Sequence, residues 1–237
     1  MSPRPANLRH RWDLTPQEAR AVQQELRGQV RVEPIRLERV QTVAGVDASF
    51  GGGQVYAGVV LLDFPGLRLV DQAAYQAPVA FPYIPGLLSF REAPASLEAL
   101  ARLKSQPDVL IVDGHGLAHP RRFGIACHLG VLTGLPTIGC AKSILVGEVG
   151  SLGGAAGSTA ELLDGDEVLG LAVRTRQNVK PVYISIGNKV DLGFALEVIL
   201  ACSRGYRLPE PARLAHRLVT QVRKGSFQSD PEGKPAT

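Results

Sequence analysis

The feature that most constrains this chain is an apolar run, Val109-Leu110-Ile111-Val112, that stops at an aspartate. Bounded by Pro107 and Gly114, the run reads as a buried strand with Asp113 directly after it. Open α/β sheets collect their chemistry at the carboxyl ends of strands. A carboxylate there is placed for a metal or a proton. The plainer alternative is that Asp113 caps the turn made by Gly114-His115-Gly116, a common use of Asp before Gly.

At 237 residues, 45% hydrophobic and 20% charged, the chain has the length and balance of one large α/β domain. A single domain over residues 1–237 is expected, with disordered ends at 1–10 and 226–237. No apolar run reaches membrane-spanning length, and Met1-Ser2-Pro3-Arg4 opens no signal-peptide core. A cytoplasmic protein without a membrane partner is therefore expected. Cys127, Cys140 and Cys202 are widely spaced and form no zinc pattern, so any metal should be hard and oxygen-bound. The net charge of +4 permits nucleic acid without demanding it.

Patterning predicts a helix from Pro16 to about residue 28, capped by Thr15. Three hairpin-linked strands follow at 41–50, 54–64 and 67–77, with Gly51-Gly52-Gly53 and Pro65-Gly66 as turns. A helix at 87–106, a strand at 108–113, a helix at 121–132 and a strand at 136–140 come next. After a glycine-rich loop at 147–157, strands at 167–175 and 181–186 precede helices at 191–203 and 211–222. An antiparallel three-stranded meander, then helices alternating with parallel strands, is the ribonuclease H-like layout of a mixed sheet flanked by helices. Fold alone does not give function.

In that layout the first and fourth strands are neighbours, which groups Asp47 with Asp113. Asp47 sits in an otherwise apolar strand, and burying a lone carboxylate costs several kcal/mol unless it is paired or binds a cation. Glu92, early on the next helix, is by itself an ordinary surface glutamate. Together the three fit one Mg²⁺ or Mn²⁺ site, since such ions take a few carboxylates plus substrate phosphate. Lys142, just past the fifth strand, points a cation toward the same edge; a solvated lysine is its alternative. His216 on the last helix reads equally as a residue near the metal and as an exposed helical histidine. Tyr83-Ile84-Pro85-Gly86 reads as a stiff loop, either a base-unstacking wedge or a connection packed on the core.

Val46-Asp47, Pro82-Tyr83-Ile84-Pro85-Gly86-Leu87-Leu88 with Phe90-Arg91-Glu92, Asp113-Gly114-His115-Gly116 with His119-Pro120-Arg121, and Gly139-Cys140-Ala141-Lys142-Ser143 together resemble endonuclease V, the deoxyinosine 3′-endonuclease family. The similarity runs from about residue 15 to 222, and the combination of motifs is far more specific than any one of them. It implies a Mg²⁺-dependent enzyme, with Mn²⁺ as a substitute, that hydrolyses the second phosphodiester bond 3′ to a deaminated base. Asp47, Glu92 and Asp113 would hold the metal, and His216 would stand near it. Lys142 would act on the scissile phosphate. Tyr83, Ile84 and Pro85 would form the wedge, and Gly86, Leu88, Gly114, Gly139 and Leu145 the base pocket. His119 and Ser143 would contact phosphates, and Arg121-Arg122 would clamp the backbone from a helix start.

The implied partner is DNA carrying deaminated bases, and a monomer is expected. Three rivals stand beside this. An inosine-specific ribonuclease would differ in a contact to the 2′-hydroxyl. The incision domain of nucleotide-excision repair shares the layout but carries a helix-hairpin-helix extension, which this chain lacks. A silent nucleic-acid-binding module would lack the carboxylates, and all three are present.

Overall fold

A computed structural model describes residues 10–226. One nine-stranded sheet organises them, with strands β1 (Thr42–Gly51), β2 (Gln54–Asp63), β3 (Leu69–Pro78), β4 (Val109–Val112), β5 (Thr137–Ala141), β6 (Glu148–Val149), β7 (Thr159–Asp164), β8 (Glu167–Val173) and β9 (Val182–Asn188). The helices are α1 (Pro16–Arg27), α2 (Leu88–Ala101), α3 (Ile125–Thr133), α4 (Leu192–Ala201) and α5 (Glu210–Arg223). The strands lie in the order β3-β2-β1-β4-β5-β9-β8-β7-β6. The mixed sheet flanked by helices is as expected, and its first five strands carry the ribonuclease H-like order.

Two apolar clusters cover the two faces. Alternate residues of β1 and β4 (Val43, Val109 and Ile111) pack with α4 and α5 through Phe194, Val198, Ala215 and Leu218. Their neighbours (Ala44, Val46, Leu110 and Val112) pack with α2 and α3 through Ala93, Leu97, Ala126 and Leu129. This is the period-two division of a strand buried on both sides. α1 starts as its sequence dictates, with Thr15 and Glu18 forming a reciprocal capping box before Pro16.

Three expectations need correction. β9 and β8 are antiparallel to their neighbours, β9 running against β5 and β8 against β9. The chain between β5 and β9 passes through strands β6–β8 and no helix, so the crossover that a parallel pair requires is missing. β7 and the short β6 were not foreseen; Asp164-Gly165-Asp166-Glu167 is the Asp-Gly hairpin signal that marks the β7–β8 turn. Finally, α3 begins at Ile125, because Arg122 takes a left-handed conformation (φ 52°) and residues 119–124 form a turn. The ends expected to be disordered fall almost wholly outside the described residues. At their inner margins His10 bonds His128 and Ser226 bonds Gln221.

Candidate active site

Strand register brings the first two carboxylates together. β1 and β4 run parallel with Val46 opposite Val112, and the Asp113 amide donates to the Val46 carbonyl at 3.0 Å. Asp47 and Asp113 therefore leave adjacent strands side by side at the carboxyl edge of β4. Gly45 decides what covers them. A Cβ at this position would lie 2.1 Å from the Pro211 carbonyl oxygen, so only glycine lets α5 lie this close to β1. One turn along α5, His216 Nδ1 meets Asp47 Oδ2 at 2.7 Å. Ligating atoms of Asp47, Asp113 and His216 lie within 4.8 Å of one another.

Glu92 stands outside that group but within its field. It is buried, 8% exposed, on the α2 helix. Burial pushes its carboxyl well above the usual range, and the charges of Asp47 and Asp113 add to the effect. Asp47 is pushed up to about 6 by burial and then by Asp113, against opposing contributions from Lys142 and His216. Lys142 Nζ donates to Asp113 Oδ2. Burial alone would lower its pKa, yet the Asp113 carboxylate outweighs burial and holds it above the ordinary lysine value. Three carboxylates thus face one ammonium and one imidazole. Asp47, Asp113 and His216 are close enough to share one metal ion, and the excess of carboxylates around them suits a hard divalent cation.

Beside the carboxylates lies a pocket of about 250 Å³ lined by residues including Tyr83, Ile84, Pro85, Gly86, Leu88 and Leu145. This is the scale of one nucleobase, below the roughly 300 Å³ at which drug-sized sites begin. Tyr83 stands at its rim, 71% exposed, while Ile84 packs on the cluster of Phe81, Leu87 and Phe90. His119 and Ser143 also line it. Gly114 and Gly139 are not among its lining residues. A Cβ on Gly139 would press within 2.6 Å of the Gly116 amide nitrogen and 2.8 Å of the Gly114 carbonyl, so β5 supports the loop after Asp113 by close backbone contact. A larger, more open hollow near Arg31, Glu33 and Lys189 contains none of the carboxylates.

The sequence profile of the family Endonuclease V matches residues 24–217. The chain belongs to the endonuclease V family. It is 57% identical over 220 residues to Endonuclease V of Gloeobacter violaceus, which spans 91% of this chain and 89% of that protein. The crystal structure of Endonuclease V from Streptomyces avermitilis superposes with a TM-score of 0.87 at 46% identity, covering 91% and 96% of the two chains. Endonuclease V of Ciona intestinalis, solved in complex with a 24mer DNA containing an inosine followed by a ribo-adenosine, gives a TM-score of 0.76 at 27% identity, covering 89% and 98%. The protein is thus a nuclease, an enzyme that hydrolyses nucleic acid.

Some candidate residues of this endonuclease V are engaged with the protein itself. His119 is buried; its Nε2 lies 3.0 Å from the Gly86 carbonyl and its Nδ1 3.1 Å from the Arg121 amide. Because Nδ1 accepts from the amide, Nε2 carries the proton and the ring is neutral. Burial followed by the Arg121 charge brings the His119 pKa down to about 4. Arg121 Nη2 donates to the same Gly86 carbonyl at 2.6 Å and its Nε to Gln23 Oε1 at 2.6 Å. Arg122 points to the β7–β8 turn, where it pairs with Asp164 and Glu167, both at 2.7 Å. Gln23 was not foreseen. It is buried in α1 and donates to the Gly86 and Phe123 carbonyls, and a polar residue on the core face of an amphipathic helix was its only signal in the sequence.

Proposed function

We propose that this endonuclease V incises DNA at deaminated bases, chiefly deoxyinosine, at the second phosphodiester bond 3′ to the lesion. The observation that carries this reading is the meeting of Asp47, Asp113 and His216, with Lys142 on Asp113 and Glu92 within their field, near a nucleobase-sized pocket. The Ciona intestinalis relative was crystallised on inosine-containing DNA, which supports the choice of lesion. Tyr83, with Ile84 and Pro85, would wedge the strands apart. The extruded base would enter the pocket between Gly86, Leu88 and Leu145, which is cheaper for a weakly paired lesion. Gln23, His119 and Arg121 hold the Gly86 carbonyl and so keep that wall in place. Ser143 at the pocket is left as a phosphate contact.

Asp47, Glu92 and Asp113 would hold Mg²⁺, with Mn²⁺ as a substitute. When bound, such an ion lowers the pKa of water and stabilises the leaving oxygen. With Asp47 ionised, His216 donates Nδ1–H to it, leaving Nε2 to take the proton of the attacking water. The water oxygen bonds to phosphorus and the bond from phosphorus to O3′ breaks. The departing O3′ takes a proton from solvent, which leaves a 3′-hydroxyl and a 5′-phosphate. Lys142, kept charged by Asp113, is placed to offset charge on the phosphoryl oxygens. All these side chains come from one chain, which suits a monomer, and the three free, buried thiols suit a reducing cytoplasm. Among the described residues no helix is long and apolar enough to cross a membrane.

A second reading, cleavage of inosine-containing RNA, is favoured by the ribo-adenosine that follows the inosine in the Ciona intestinalis complex. End-labelled duplexes with one deoxyinosine, and matching RNAs with one inosine, separate the two. A Mg²⁺-dependent nick one nucleotide beyond the deoxyinosine, lost in Asp113→Ala, is expected. Cleavage of RNA alone would move the function to RNA, and binding without cleavage of either would leave a silent binding module.

A further inference from the structure

Residues 142–147, which follow β5, belong to no strand or helix, and 143–145 are exposed. Lys142 therefore carries its ammonium at the root of a loop with no ladder of its own. The pairing of β5 with β9 ends where Ala141 faces Tyr183, and Pro181, just before β9, has no amide to extend it. Arg207 takes over at that point. Its Nη2 donates to the Lys142 carbonyl at 2.5 Å and to the Pro181 carbonyl at 2.9 Å, and its Nε reaches the Pro181 carbonyl at 3.3 Å. Arg207 is half-buried in the connection between α4 and α5, where its own carbonyl accepts from Thr175 Oγ at 2.6 Å. Next along the loop, His115 Nε2 lies 2.9 Å from the Ser143 carbonyl.

We propose that Arg207 is a positioning residue for cleavage, clamping the Lys142 main chain so that Nζ stays on Asp113. This rests on the role given to Lys142 above. Lysine is a compact charge on a flexible four-carbon stem, so one contact with Asp113 fixes it only if its Cα is held. Arginine supplies that hold because its planar fork presents several donors in fixed directions. Bonds from an ionised donor are also roughly twice as strong as neutral ones. The three bonds go to main-chain carbonyls, which makes Lys142, and not the nucleic acid, the partner through which Arg207 acts.

A double-mutant cycle of Arg207→Met and Lys142→Ala tests this by single-turnover cleavage in Mg²⁺, well below the melting temperatures. The substrate is whichever inosine-containing DNA or RNA the unaltered protein cuts. Arg207→Met keeps the apolar stem and removes the fork. It is expected to slow cleavage by about 10- to 100-fold, the cost of a misplaced catalytic group, and to leave affinity in Ca²⁺ within about twofold. Added to Lys142→Ala, the same change should slow the reaction by less than about twofold, since the group it positions is gone. Arg207→Lys, which keeps the charge, should lose less and show the same dependence on Lys142; it carries the cycle if Arg207→Met does not fold. Hydrogen exchange at residues 142–145 should quicken in the free variants while β1 and β4 stay protected. Equal slowing in both backgrounds, a loss of affinity as large as the loss of rate, or loosening of the whole chain would overturn the assignment. If Lys142→Ala itself cuts at the parental rate, the reading of Lys142 fails. If it is slow and Arg207→Met adds its full loss, only the role of Arg207 fails.

Discussion

Replacing Gly45 with alanine is the sharpest test of how the site is assembled. The added methyl would begin 2.1 Å from the Pro211 carbonyl oxygen and 2.8 Å from the Ala212 amide nitrogen. Both partners are backbone, so no side-chain rotation relieves the contact. Restoring ordinary contact near 3.2–3.5 Å requires α5 to retreat by roughly 1 Å, and overpacking of this kind costs about 1–3 kcal/mol. For a protein of this size that corresponds to a melting temperature lower by about 2–12 °C. The functional effect should exceed the thermal one. The same retreat would stretch the 2.7 Å contact between His216 Nδ1 and Asp47 Oδ2 past hydrogen-bond length. A misplacement near 1 Å at a catalytic group costs on the order of 100-fold in rate. Single-turnover incision of a deoxyinosine duplex, measured well below the melting temperature beside a thermal scan, gives both numbers. A Gly45→Ala protein that melts within about 1 °C of the parent and cuts within about twofold of its rate would refute the claim that this close approach sets the site.

Two further expectations concern charge. His128 is fully buried among Trp12, Phe90 and Phe123, and burial followed by the neighbouring His10 lowers its pKa from 6.5 to about 3. A histidine neutral in the fold and charged when unfolded costs nothing above pH 6.5 and about 1.4 kcal/mol for each unit below it, so about 2 kcal/mol is lost by pH 5. The His128→Phe protein should therefore gain on the parent in denaturant midpoint as pH falls from 7 to 5; a constant difference would sink this account. Arg122 pairs with Asp164 and Glu167 on the β7–β8 turn, so Arg122→Ala should cost about 1 kcal/mol of stability. It should also leave the salt dependence of DNA binding unchanged, whereas a lost phosphate contact would lower the slope by about one.

The residues of the site were legible long before their arrangement. Asp113 stood out because an apolar run ended on it, and Asp47 because a carboxylate interrupted one. Lys142 was marked by its place just past a strand and Tyr83 by its proline-stiffened loop, whereas Glu92 read alone as a surface glutamate and gained meaning only beside Asp47 and Asp113. Gln23 escaped because nothing in α1 says that its amide meets the Gly86 carbonyl, 63 residues away in the chain. Arg121 and Arg122 read alike as a basic pair, yet one is tied to Gln23 and Gly86 and the other to Asp164 and Glu167.

The division has a physical cause. Apolar periodicity, caps and turn residues act over a few positions, so most strands and helices could be located from the chain alone, as could one carboxylate that interrupts a strand and another that ends one. Pairing and packing join residues far apart, and their energies depend on which surfaces are buried together. The tertiary structure alone therefore decided that Val46 faces Val112, that β9 returns antiparallel to β5, and that α5 rests on Gly45 with His216 over Asp47.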